Sequence, residues 1–79
     1  MKPDKMTPEQ RLILVEIGKR LQELRKSKNI GSKEMADIIG VSRNGYSMME
    51  HGKTFFKFSK LMLLLQHHQI SYSEFFKNL

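Results

Sequence analysis

Residues 32–52 read SKEMADIIGVSRNGYSMMEHG, and their spacing decides the fold. Apolar residues fall at Met35, Ile38, Ile39, Val41, Tyr46 and Met49, a helical rhythm interrupted once, at Gly40. Glycine is the residue that most readily takes the left-handed conformation that stops a helix, and Ser42 is a natural N-cap for the next one. The spacing therefore predicts one helix over Ser32–Ile39 and another from Arg43 to Glu50 or His51. Two short helices set at a large angle across a glycine turn make a helix-turn-helix unit, with Ala36 as the small residue where a second helix crosses closely.

Upstream, Thr7-Pro8-Glu9-Gln10 is a helix start: a capping threonine, a proline suited to the first helical position, and a glutamine placed to complete a capping box. The helix is predicted to run to about Lys28, with Leu14, Ile17, Leu21 and Leu24 as its core stripe. Lys19, Arg20, Arg25, Lys26 and Lys28 crowd its second half, where cations suit the helix dipole. Leu12, Ile13 and Val15 lie off the stripe; they are expected to pack on the C-terminal helix, the alternative being a partner surface. Residues 1–6 are polar, contain Pro3, and are expected to form a flexible arm that either frays or reaches along a partner. The domain proper is thus residues 7–79.

Downstream, His51-Gly52-Lys53-Thr54 is a glycine-terminated exit into a loop with Phe55, Phe56 and Lys57. A fourth helix is predicted from about Ser59 to His68, burying Phe58, Leu61, Leu64 and Leu65. The Ser71-Tyr72-Ser73 turn leads to a last short helix carrying Phe75 and Phe76. No strand candidate or repeat interrupts this pattern, so the expected fold is an all-α, five-helix bundle around a central helix-turn-helix.

Bulk composition narrows the chemistry. At 79 residues without cysteine, neither disulfides nor a thiolate metal site staples the core, and helix packing must stabilise it. A formal charge of +6 fits either a soluble basic surface or a polyanionic partner. The longest apolar runs, Leu12–Val15 and Leu61–Leu65, are far short of the ~20 residues that span a bilayer. With no signal-peptide pattern, a cytoplasmic location and no membrane partner are expected. His67 and His68, adjacent on one helix, point ~100° apart, so no metal is expected. No nucleophile–base pair or phosphate-cradling glycine loop stands out, so neither an enzyme nor a cofactor is expected.

At Ser32–Gly52 the chain resembles the Cro and phage-repressor family of helix-turn-helix domains, the XRE family. Ala36 and Gly40 occupy its small and glycine positions, Met35, Ile39, Val41, Tyr46 and Met49 its apolar ones, and Glu50-His51-Gly52 its "glutamate, any residue, glycine" ending. The stretch IGKRLQELRKSKNI resembles the family's first helix, and the resemblance implies an ion pair between Arg25 and Glu50. FSKLMLLLQHHQISYSEFF is similar to the N-terminal domains of Rgg-like regulators of Gram-positive bacteria. The likeness covers Ile17–Phe76 and implies a lambda-repressor-like bundle that binds double-stranded DNA as a transcription regulator. There are departures. Gly31-Ser32 stands where Ser or Thr followed by Gln is frequent, Gly45 sits inside the second helix of the motif, and His68 replaces the usual leucine.

With that helix in a major groove, its first turn and one face reach base edges, which nominates Arg43, Asn44, Ser47 and Met48. Arg43 suits guanine, Asn44 adenine, and Met48 a thymine methyl; phosphate contact is the plainer role for Arg43, and a solvated position for Asn44. Ser32, Lys33, Ser42, His51, Lys53 and Lys57 flank the helix as candidate phosphate contacts. Lys60 and Lys77 are expected to be solvated. Such domains work as homodimers on inverted half-sites. The chain is expected to be a monomer or weak dimer when free, with Phe55, Phe56, Phe76 and Leu12–Val15 as candidate contacts. A second reading keeps the fold as a protein-interaction module, an antitoxin or anti-regulator, with weak DNA reading or none.

Overall fold

The computed structural model describes residues 5–79, so the first four residues of the expected arm lie outside it. Five helices follow in order: α1 (Pro8–Ser27), α2 (Ser32–Ile39), α3 (Arg43–Glu50), α4 (Phe58–His68) and α5 (Tyr72–Phe75). There is no strand among the described residues. The predicted boundaries hold to within a residue or two, and the starts of α1, α3 and α5 each have a side-chain cap. Thr7 and Gln10 form the reciprocal capping box, Oγ1 accepting from the Gln10 N–H at 3.1 Å while Gln10 Oε1 accepts from the Thr7 N–H at 2.9 Å. Ser42 Oγ accepts from the Gly45 N–H at 2.9 Å, and Ser71 Oγ from the Glu74 N–H at 3.1 Å.

The first four helices end in one way. A residue with positive φ (Asn29, Gly40, Gly52, Gln69) is followed by an amide that returns to a carbonyl five residues back: Ile30 to Arg25, Val41 to Ala36, Lys53 to Met48, Ile70 to Leu65, at 2.9 to 3.3 Å. This is the Schellman closure, which satisfies the last carbonyls and turns the chain sharply. In three of the four, the residue after the turn (Ile30, Val41, Ile70) packs against the core. Each reversal is therefore also an apolar anchor.

One core unites the bundle: Ile17, Leu21 and Leu24 of α1, Met35, Ala36 and Ile39 of α2, Tyr46 and Met49 of α3, Leu61, Leu64 and Leu65 of α4, and Phe75 of α5. α1 and α3 cross closely. A methyl group added at Gly18 would lie 2.2 Å from the Glu50 carbonyl oxygen, and one at Gly52 would lie 2.6 Å from the Val15 amide nitrogen. Glycine at 18 is thus the condition for α3 to rest its last turn on α1. Arg20 docks the other end of the chain, its Nη1 donating to the Phe75 carbonyl at 2.7 Å.

Three expectations need correcting. Leu12 and Ile13 do not pack on the C-terminal helix; they are 71% and 53% exposed, because α1 extends beyond the elements that cover its core stripe. Val15 is half-buried, but its neighbour is Gly52 in the turn after α3. Phe58 is not buried with the leucines of α4. It is 56% exposed and stacks on Tyr72 of α5 with ring centroids 5.7 Å apart. Lys60 is not a free solvated charge: its Nζ donates to the Ile39 carbonyl at 2.9 Å, tying α4 to the negative end of α2. No described helix is long and apolar enough to cross a membrane.

Candidate nucleic-acid interface

The surface of interest is built on α2, the Gly40 turn and α3. Gly40 takes φ 71° and ψ 36°, so α2 stops there and α3 begins within three residues. Tyr46, Met49 and Glu50 face inward, with Tyr46 wholly buried. The opposite face must then carry Arg43, Asn44 and Met48, which are exposed, with Ser47 half-buried beside them. Asn44 and Met48, one turn apart, touch: Nδ2 lies 3.9 Å from Sδ.

The buried side of α3 is fixed by charge as well as by packing. Arg25 Nε donates to Glu50 Oε2 at 2.7 Å, Nη2 to Oε1 at 3.4 Å, and Nη1 to the Ile30 carbonyl at 3.3 Å. The two side chains are 17% and 4% exposed, so α1, α3 and the turn before α2 share one nearly dry ion pair. The hydrogen bond to Glu50 holds Arg25 in its charged form, against the opposing effect of burial. Tyr46 Oη is enclosed beside this pair without a partner at hydrogen-bonding geometry. Burial first, and the Glu50 carboxylate second, push its ionisation well above the ordinary tyrosine range. The phenol is neutral and serves as core.

The candidate phosphate residues surround α3 unevenly. At the start of α2 the cap residue is Gly31, with no side-chain cap bond, so the Ser32 hydroxyl and the first-turn amides remain open. Lys33 is exposed but leans to Asp37, Nζ to Oδ2 being 3.2 Å. Ser42 uses Oγ as the α3 cap and keeps its O–H proton to donate. His51 Nδ1 sits 2.8 Å from the Ser47 carbonyl, which fixes it as the protonated nitrogen and turns Nε2 outward. Lys53 follows directly in the exposed loop, whereas Lys57 stands at the N-cap of α4. No hydrogen bond or ion pair ties Lys57 to α3 among the described residues. A methyl added at Gly45 would lie 3.1 Å from Ser42 Oγ and 3.9 Å from Val41 Cβ. Glycine at this position therefore relieves the cap. Among the described residues no three His, Asp or Glu side chains converge to hold a metal ion.

The helix-turn-helix domain family matches residues 18–79. This chain belongs to that family. The helix-turn-helix domain is 34% identical over 56 residues to the antitoxin PezA of Streptococcus pneumoniae serotype 4 (strain ATCC BAA-334 / TIGR4), covering 71% of this chain and 35% of PezA. It thus spans about a third of that relative. Among solved structures, the restriction-modification controller protein C.AhdI from Aeromonas hydrophila superposes with a TM-score of 0.75 at 28% identity, over 82% of this chain and 98% of that one. An HTH_3 family transcriptional regulator from Vibrio cholerae gives 0.74 at 26% identity, over 87% and 39%. The all-α, lambda-repressor-like architecture of the helix-turn-helix domain is common to both solved structures.

Two features escaped the sequence. Gly18 lies in a helix interior, where glycine carries no turn signal, and its role exists only because α3 crosses there. Lys60 looked like any surface lysine, because its acceptor is 21 residues away.

Proposed function

We propose that the helix-turn-helix domain, residues 7–79, is the DNA-binding part of a transcriptional regulator. In this reading α3 enters the major groove of double-stranded DNA, Arg43, Asn44, Ser47 and Met48 meet base edges, and Ser32, Lys33, Ser42, His51, Lys53 and Lys57 meet phosphates. The observation that carries it is the two-sidedness of α3. One face is locked by Tyr46, Met49 and the Arg25–Glu50 pair, while the other offers a guanidinium, an amide and a thioether to solvent. Rigid presentation of such groups on a short helix is what direct readout requires. The +6 charge supplies the nonspecific attraction. Fold-level support comes from the controller protein and the transcriptional regulator that share the architecture. The finer kinship with Rgg-like regulators rests on the sequence of α4 and α5 alone.

Selection of binding sites from a random duplex pool, followed by gel shifts, tests this. Arg43→Ala and Asn44→Ala should each weaken the selected site by about 1–3 kcal/mol and relax preference at one position. Both leaving it unchanged would remove α3 from the groove.

The likeness to the antitoxin PezA favours one second reading: the same surface serving a protein partner, with little DNA reading. Salt separates the two. Duplex binding by phosphate contacts falls steeply as salt rises, and capture of a protein through apolar contacts does not.

A further inference from the structure

The family match begins at Gly18, yet α1 begins at Pro8, so more than two turns of α1 precede the matched residues. This part of α1 passes beneath the C-terminal end of α3. Gly18 lies against the Glu50 and Met49 carbonyls, and Val15, one turn earlier, against Gly52. One turn earlier still is Arg11. It opens with Lys53 and Thr54 onto a common pocket of about 480 Å³, whose remaining walls are Met6 and Phe55. Among the described residues no acidic side chain lines the pocket, and neither Arg11 nor Lys53 has a carboxylate partner. Arg11 Nε–H points at Met6 Sδ, 3.1 Å away, which steadies the head group and leaves both Nη atoms open. The Thr54 hydroxyl donates only to the carbonyl of its neighbour Phe55.

We propose that Arg11 and Lys53 form a phosphate-binding pocket that takes one phosphodiester of the DNA backbone, so that the N-terminal half of α1 adds a contact to those made around α3. The proposal rests on the DNA-binding reading above. A helix of eight residues is about 12 Å long, comparable to the width of the major groove. When it lies in the groove, the loop leaving its C-terminus meets a wall of phosphates. Lys53 lies on that loop, and Arg11 shares its pocket. Two converging cations repel one another, and an anion between them relieves the repulsion while accepting hydrogen bonds from the guanidinium fork.

The test is a salt series of fluorescence anisotropy on the selected duplex, with wild type, Arg11→Gln, Arg11→Lys and Lys53→Gln. Each phosphate contact contributes about 0.9 to the slope of log K against log salt. Arg11→Gln and Lys53→Gln should each lower the slope by about 0.9 and weaken binding on the order of eightfold at 0.1 M salt, with the ranking of sequences preserved. Arg11→Lys should retain the slope. Arg11 is exposed, and circular dichroism melts of Arg11→Gln should match wild type. An unchanged slope in Arg11→Gln, with Lys53→Gln behaving as expected, overturns the pocket and leaves the groove assignment standing. A wild type without salt-dependent duplex binding overturns both.

Discussion

Single residues set the tolerances of this domain, and Gly18 sets the tightest. A methyl there meets backbone carbonyl oxygens, which have no rotamer with which to retreat. Gly18→Ala would ordinarily favour a helix by ~1 kcal/mol. Here it should destabilise by about 1–3 kcal/mol, the range for overpacking, and lower the melting temperature by more than about 4 °C. An unchanged melt would mean that α1 and α3 do not cross so closely. His68 is a second such position. Its Nε2 is enclosed without a partner, and burial first, then the charges of His67 and Lys28, push its pKa down, with Glu34 opposing. The folded state therefore holds fewer protons than the unfolded one between the depressed value and about 6.5, the unfolded value. Stability should fall as pH drops through that window and level off below it. His68→Leu, the residue that the family resemblance expects, should remove this component. Its advantage over wild type in urea melts should grow from pH 7.5 to pH 5.5, and a constant difference would exclude His68 as the source.

Elements were legible from sequence where the chain's own neighbours decide them. The Thr7 capping box, the Gly40 stop and the Ser42 cap each need only four or five consecutive residues, and all appear as read. The buried faces of α2 and α3 followed from spacing for the same reason. Leu12, Ile13 and Phe58 did not, since periodicity says which side of a helix is apolar but not whether another element arrives to cover it. The Schellman closures divide similarly. Gly40 and Gly52 announce themselves, whereas Gln69 adopts φ 58° with a side chain that resists it. A left-handed residue costs an L side chain roughly 1–2 kcal/mol, and glycine returns about half of that through its freer unfolded chain. Gln69→Gly should thus stabilise by about 0.5–1 kcal/mol, read as a higher urea midpoint with the same slope. A lower midpoint would show that Gln69 makes a compensating contact.

At the scale of the whole molecule, α3 is short. In the proposed groove-bound arrangement, eight residues reach only the few base pairs beneath one face, and Arg43 and Asn44 are the polar groups of α3 suited to bidentate reading. At about 1–3 kcal/mol for each good bidentate pair, two such pairs bring one copy no further than the lower part of the typical specific-over-nonspecific margin of roughly 4–10 kcal/mol. Two copies on an inverted site double the readout without any change to the fold. In free solution the exposed large apolar groups are scattered, with Leu12 and Ile13 on α1, Met48 on α3, Phe55 in the following loop, Phe58, Leu63 and Tyr72 on the α4–α5 edge, and Leu79 beyond it. We therefore expect a monomer or weak dimer by sedimentation at micromolar concentration, and a two-to-one complex on a site whose half-sites lie about 34–36 Å apart. Inserting five base pairs between the half-sites rotates one copy to the opposite side of the duplex. It should abolish cooperativity while each half-site keeps its own weak, salt-sensitive affinity. Equal affinity for the native and the expanded spacing would show that the copies bind independently, and the domain's specificity would then have to come from parts of a longer protein.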